Sequence, residues 1–273
     1  MRRAGSRSRQ SASGYQQKDL WLPCVVQYAR HVTPTFAGPT LRDRLYEAYA
    51  SQHAGYGDAV ATALIYRRDI RPWLPPPAAG PVIDIGCGLG ELVKLLFADG
   101  YDAHGVDVSP EQVEFAHASR LDQVRHGDYR DALAQSPSYF AAVTATDLLE
   151  HLTKDEVLET FDRVAQALTP GGVFVARVPN AVSPLGGHIR YGDFTHESSY
   201  TDRSVRQLAA AAGFRSVLVL PCPPVRHGLI SAARLAAWKP ISGIFKIALA
   251  AETGRLRGHV VTQNLTFVAR KAG

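Results

Sequence analysis

The feature that most constrains this chain is a glycine-rich turn, Asp84-Ile85-Gly86-Cys87-Gly88-Leu89-Gly90, directly behind the apolar pair Val82-Ile83. Between a strand and a helix, such a turn lets the backbone come close to a ligand and aims the first helical N–H groups at it. A dinucleotide site asks for G-x-G-x-x-G, so that the helix N-terminus faces a pyrophosphate. Gly86, Gly88 and Gly90 give G-x-G-x-G instead. Asp84, an acid just ahead of the glycines, suits an ammonium or sulfonium charge better than a phosphate. Asp107 closes the next apolar run, 21 residues after Gly86, where a carboxylate can accept both hydroxyls of a ribose. Each feature alone has a plain reading, glycine for a tight turn and acid for a solvated loop. On one strand, turn, helix, strand unit they predict a nucleoside ligand.

A length of 273 residues suits one α/β domain with additions. No uninterrupted apolar stretch reaches the ~18 residues of a transmembrane helix, so a soluble protein is expected. The net charge of +5 invites a nucleic-acid reading, but residues 1 to 30 carry six basic residues against Asp19 alone. The remainder is near neutral and lacks the basic track that a phosphate backbone demands, which speaks against nucleic acid as a partner. Residues 1–14, rich in Arg, Ser and Gly, read as a disordered basic tail without the apolar core of a secretory signal. Cys24, Cys87 and Cys222 are odd in number and lack C-x-x-C spacing. Neither a disulfide framework nor a thiolate zinc site is indicated, and a cytoplasmic location is expected.

Residues 15–80 read as an N-terminal helical cap, with Leu41, Leu45, Ala48 and Tyr49 at helical spacing and a second helix over 59–70. Pro72 and Pro75 to Pro77 break it. From 81 onward strands and helices alternate, as in a parallel sheet covered on both faces. Strands are expected at 82–85, 103–106, 124–126, 140–145, 173–178, 214–220 and 259–269. Helices are expected at 90–97, after Ser109-Pro110, at 153–168 and at 201–212, the last ended by Gly213. The domain thus spans 81–273, with an insertion at 221–258 whose apolar helical stretch breaks at Pro240. The insertion reads either as a lid or membrane-surface element or as a helix pair completing the core. Core-facing helices of this length are commoner, which favours the second reading.

VIDIGCGLG, GVDVSPEQVEFA, HGDY, TATDLLEHL and LTPGGVFVARVPN, in that order, resemble the successive motifs of class I S-adenosylmethionine-dependent methyltransferases over residues 81 to 180. The resemblance implies a Rossmann-like α/β fold: seven strands, mostly parallel, with an antiparallel last strand. It also implies that Asp84 and the loop of Gly86, Cys87, Gly88 and Gly90 hold the aminocarboxypropyl part of S-adenosylmethionine. Asp107, followed by Val108, would take the ribose, Asp128 with Tyr129 the adenine, and Asp147 would line the methionine end.

Methyl transfer from a sulfonium is an in-line displacement, so a hydroxyl acceptor must be aligned and its proton removed. The carboxyl end of strand four is the place for such groups. There Asp147, Glu150 and His151 would share one face if the turn is helical, and could hold Mg²⁺. His188, Arg190, Tyr191, Asp193, His196 and Glu197 form a second polar cluster after strand five, suited to acceptor recognition together with Phe194 and Tyr200. The arrangement is similar to the E-x-x-E-H of ubiquinone-biosynthesis O-methyltransferases and small-RNA 2′-O-methyltransferases, which implies a metal set of Asp147, Glu150, His151 and His196, with His151, Glu150 and His196 catalytic. Asp147 departs from the pattern, being shorter than Glu. The alternative leaves His151 as a metal-free base and Glu150 as a cap.

The expected activity is O-methylation of a sugar or other small polar hydroxyl. RNA 2′-O-methylation and small-molecule N- or C-methylation are the alternatives, and a non-catalytic cofactor-binding module or a nicotinamide dehydrogenase lie outside the class. A homodimer is allowed.

Overall fold

The computed structural model describes residues 59–273. The tail read at 1–14 and most of the helical cap, including the Leu41 to Tyr49 spacing, lie outside the described residues. The described chain enters through α1 (Ala59–Ile65), a π-helical turn (Tyr66–Ile70) and a 3-10 turn (Arg71–Trp73) that holds Pro72. Tyr66 and Ile70 are buried in one apolar cluster with Leu92, Leu96 and Tyr101. The Tyr66 hydroxyl donates to Asp99 at 2.8 Å, tying this entry to the start of the sheet.

Seven strands follow: β1 (Val82–Ile85), β2 (Ala103–Asp107), β3 (Val124–His126), β4 (Phe140–Thr146), β5 (Leu168–Pro179), β6 (Ser216–Pro221) and β7 (Asn264–Arg270). They form one sheet in the order β3-β2-β1-β4-β5-β7-β6. Strands β3, β2, β1, β4 and β5 run parallel, whereas β7 is antiparallel to both its neighbours. The order reverses between β1 and β4, so the carboxyl ends of those two strands flank the crevice where open α/β sheets bind ligands. Register puts Asp84 of β1 level with Gly105 of β2 and Thr144 of β4.

The helices are α2 (Glu91–Ala98), α3 (Pro110–Ala118), α4 (Tyr129–Ala134), α5 (Lys154–Ala167), α6 (Gly186–Arg190), α7 (Asp202–Ala211) and α8 (Leu229–Thr253). Ser109 caps α3 by accepting from Gln112 N, and Thr153 with Glu156 forms a capping box on α5. The larger of the two cores packs Phe161 of α5 against Phe174 and Phe267 of the sheet, with ring centroids 5.4 and 5.6 Å away.

Several details depart from the sequence reading, among them the start of β6 at Ser216 instead of 214. Helix α4 was not expected; six residues are too few for apolar periodicity to register. Strand β5 starts at Leu168, with a bulge at 169–172 where pairing jumps from Phe140–Leu168 to Ala142–Val173. Strand β7 begins at Asn264 instead of 259. Helix α8 runs unbroken through Pro240, whose missing N–H falls where Ala236 is exposed and water can satisfy its carbonyl. Nor does α8 complete the core, because Ser231 is its one buried residue.

Candidate active site

The glycine turn is built as its spacing requires. Gly86, Gly88 and Gly90 have φ of +65°, +54° and +76°, a region that L side chains rarely adopt. Space forbids side chains as well. A Cβ on Gly86 would lie 2.8 Å from Leu148 Cδ1, and one on Gly90 would lie 2.9 Å from Leu121 Cδ1. Cys87 is buried, and its sulfur would lie 2.8 Å from a Cβ on Gly105, so the turn is wedged tightly onto β2. Burial pushes its thiol well above the ordinary range, as expected of an inert packing cysteine.

Two carboxylates flank this turn, and one of them holds it in place. Asp107 accepts from Gly88 N and Ser109 N, each at 2.8 Å, so the acid at the end of β2 clamps the turn at the end of β1. Burial raises its pKa and the backbone donors oppose that. Asp84 is buried and accepts from Thr144 Oγ1 at 2.7 Å. Burial raises its pKa to about 7, against the lowering effect of the Thr144 bond and with the charge of Asp107 adding to the rise. A buried carboxylate poised at this value gains from a nearby cation, which fits the charge expected of the ligand.

The remaining cofactor candidates fall in mixed places. Val108 is exposed at the carboxyl end of β2. Asp128 is the N-cap of α4 and forms an ion pair with Arg130 at 2.6 Å. Burial tends to raise its pKa, but bonding to Arg130 wins and lowers it. Tyr129 is buried in the core with its hydroxyl 2.7 Å from Thr160 Oγ1. That commits the ring to packing and leaves its backbone beside Asp128.

At the end of β4 the turn is not α-helical. Asp147 sits at φ +54°, and a 3-10 turn, Leu149–His151, follows. The shared helical face supposed for Asp147, Glu150 and His151 is therefore absent. The Asp147 carboxylate forms an ion pair with Arg177 of β5. Glu150, His151 and His196 instead come together, each bringing a ligand-type atom within 4.8 Å of the others, and Asp147 is outside this group.

The loop after β5 supplies the third member and fixes the first two. Glu197 N and Ser198 N donate to the Glu150 carbonyl at 2.7 and 3.2 Å, and the Tyr200 hydroxyl donates to the Leu149 carbonyl at 2.7 Å. Thr195 Oγ1 donates to Asp193 Oδ1 at 2.6 Å, so its lone pair accepts from His151 Nδ1–H at 2.7 Å. His196 Nδ1 lies 2.8 Å from the Ile189 carbonyl, which can only accept, so this nitrogen carries the hydrogen. In both neutral rings the lone pair is therefore on Nε2. The ring centroids are 4.6 Å apart.

Glu150 is 1% exposed, and its Oε2 has no hydrogen-bond partner. Burial raises its pKa well above the carboxylate range; the charge of Asp147 adds to the rise and Arg177 opposes it. A buried oxygen without a donor is costly, and a cation is one way to satisfy it.

Other members of the predicted polar cluster are elsewhere. His188 and Tyr191 are exposed, Arg190 donates to the Glu197 carbonyl at 2.7 Å, and Tyr200 is buried. Sequence reasoning missed Thr144, Leu148, Thr195 and Arg177. Of these only Arg177 left a signal, as the single charge in the buried run Val-Phe-Val-Ala-Arg-Val.

A family model described as "Methyltransferase domain" matches residues 59–219. The ubiquinone biosynthesis O-methyltransferase of Xylella fastidiosa (strain 9a5c) is 32% identical over 109 residues, covering 38% of this chain and 44% of that protein. The protein of the same name from Xanthomonas campestris pv. campestris (strain B100) is 34% identical over 96 residues, 33% of this chain and 39% of that one. The chain thus spans less than half the length of these curated relatives. Among solved structures, an S-adenosylmethionine-dependent methyltransferase from Archaeoglobus fulgidus superposes with a TM-score of 0.61 at 20% identity, covering 84% of this chain and 99% of that one. Phosphoethanolamine N-methyltransferase 2 of Haemonchus contortus, in complex with S-adenosyl-L-methionine, gives 0.52 at 16% identity, covering 84% and 60%. At these identities the structures establish the fold.

Proposed function

This chain belongs to the methyltransferase-domain family, and we propose that it is an S-adenosylmethionine-dependent methyltransferase that O-methylates a hydroxyl on a sugar or another small polar metabolite, with Glu150, His151 and His196 as a divalent-cation site beside the acceptor. The carrying observation is the buried, partnerless Glu150 Oε2 next to two imidazoles whose Nδ1 atoms are already engaged. Metal-ligating histidines are typically held in this way by an acceptor on the other ring nitrogen. Without Asp147 the set holds two nitrogens and one oxygen, so a borderline ion such as Mn²⁺ or Zn²⁺ fits it better than Mg²⁺.

S-adenosylmethionine, when bound, supplies a methyl group on a sulfonium, and a divalent ion supplies a Lewis acid that eases loss of the acceptor proton. The chain's residues do the positioning. Gly86, Gly88 and Gly90 admit the cofactor to the backbone, Asp84 favours its positive end, and Asp107 offers oxygens to a ribose. Asp128 stands at the adenine end. Thr195, itself bonded to Asp193, holds the His151 ring through Nδ1.

The same Asp193, Thr195 and His151 chain supports a second reading, in which His151 removes the acceptor proton without metal. Chelation separates the two. Activity that collapses in EDTA and returns with Mn²⁺ or Zn²⁺ supports the metal site, whereas full activity after rigorous chelation leaves His151 as a metal-independent base. The acceptor panel is to include sugars, hydroxylated rings of the kind suggested by the relatives' ubiquinone-biosynthesis name, amines and an RNA 3′ end. Cofactor binding without turnover on any of them would leave a binding module.

A further inference from the structure

The near neutrality of the chain beyond its first 30 residues is an average of two opposite parts. Eleven of the 30 Lys and Arg follow Asp202, and a single acid, Glu252, accompanies them. Six of the eleven, Arg226, Arg234, Lys239, Lys246, Arg255 and Arg257, lie on or beside α8, all exposed and none ion-paired among the described residues.

Helix α8 has 25 residues, a length of about 38 Å. At 100° per residue, Leu229, Ala233, Ala236, Pro240, Ile244 and Ile247 fall on one side. That side faces solvent, with Leu229, Ile244 and Ile247 exposed to 90%, 65% and 72%. The opposite side, with Leu235, Trp238, Phe245 and Leu249, is half-buried. Lys239 and Lys246 border the exposed stripe on one flank and Arg234 borders it on the other. An open apolar stripe of this length marks a contact surface.

Three occupants compete for it. A second copy, paired about a two-fold axis, would bring the basic flanks of both stripes together. RNA would meet the cations but would leave the apolar centre without a counterpart. An anionic lipid surface satisfies both parts, acyl boundary for the Leu and Ile and headgroup phosphates for the Lys and Arg. Crossing the bilayer is a different matter, since no helix among the described residues is long and apolar enough.

We propose that α8 is an interfacial helix that seats this protein on an anionic membrane surface, with Leu229, Ile244 and Ile247 entering the lipid and the flanking Lys and Arg engaging its headgroups.

The test is sedimentation of the full chain with phosphatidylcholine vesicles and with vesicles carrying roughly a third phosphatidylglycerol. Binding is expected to the anionic vesicles, to be weak on phosphatidylcholine alone, and to decline at high salt. The pairs Ile244→Asp with Ile247→Asp, and Lys239→Glu with Lys246→Glu, should each lower partitioning by about tenfold or more. Each should keep the rise in Tm caused by S-adenosylmethionine, which reports the fold. Both pairs are exposed, and either one that folds suffices to decide. No sedimentation with anionic vesicles overturns the proposal, as does binding that a folded pair leaves unchanged. RNA binding without vesicle binding, or a concentration-dependent dimer abolished by the Ile pair without vesicle binding, overturns it in favour of those partners.

Discussion

The two rims of the crevice are built on opposite principles. On the β1–β2 side, 24 consecutive residues, from Asp84 to Asp107, carry the glycine turn and both carboxylates, and these have donors close by: Gly88 N and Ser109 N for Asp107, and Thr144 of the neighbouring strand β4 for Asp84. On the β4–β5 side, Glu150 and His151 meet His196 from a loop more than 40 residues later, and Glu150 Oε2 is left without a donor. The first rim is mostly local, with Thr144 as its one distant donor. The second depends on tertiary contacts and is complete only with something added.

The contrast can be broken at several points. The largest effect is expected at Glu150. Glu150→Gln should lower kcat by about 10³-fold while leaving the S-adenosylmethionine Kd within a factor of about three. Loss of cofactor binding alongside activity, measured by calorimetry, would show that the rims are not separable. Next comes Gly88→Val, which places a β-branched residue at φ +54° with its Cβ 2.6 Å from Gln112 Oε1. Cofactor affinity should fall by about tenfold or more, from strain on the order of 1–2 kcal/mol plus the clash. An unaltered Kd would mean that the turn does not approach the ligand.

Thr195→Val should cost about 10–100-fold in kcat or metal affinity, because His151 loses the group that fixes its ring. Thr195→Ser should recover most of it, and equal damage in both variants would assign Thr195 a merely structural role. The smallest effect concerns Asp84. Its folded value of about 7 lies above its ordinary 3.8, so the folded protein keeps a proton that the unfolded chain has lost. Stability of the empty protein should therefore fall as pH rises through that window and level off above it. A bound cation favours the ionised form, so cofactor affinity should rise several-fold from pH 5.5 to 8. Calorimetry of the protein and of Asp84→Asn, which should be flat in both respects, checks it.

Strands β1 and β3 match the sequence reading to the residue, and for β1 the reason is a short buried run between Pro81 and Gly86 that has little freedom in the middle of a parallel sheet. Helix α4 was not legible, being too short for a period. The site divides along the same line. Gly86, Gly88 and Gly90 could be read because local backbone geometry dictates residue type, whereas the bonds of Asp107 to Gly88 N and Ser109 N left no such signal. Thr195 could not, since a threonine in a polar loop has no pattern that names its partner. Asp147 misled, because spacing of three and four implies a shared face only on a helix, and the chain there adopts a left-handed residue followed by a 3-10 turn.

By itself, then, the sequence determined what short-range sterics dictate: the glycine turn, the alternation of strands and helices, and through them the family. Only the tertiary structure decided that Asp147 turns to Arg177 and drops out of the group that Glu150, His151 and His196 form, and that α8 presents its apolar face outward. Those outcomes depend on which distant segments compete for the same space and charge, and no local pattern records that competition.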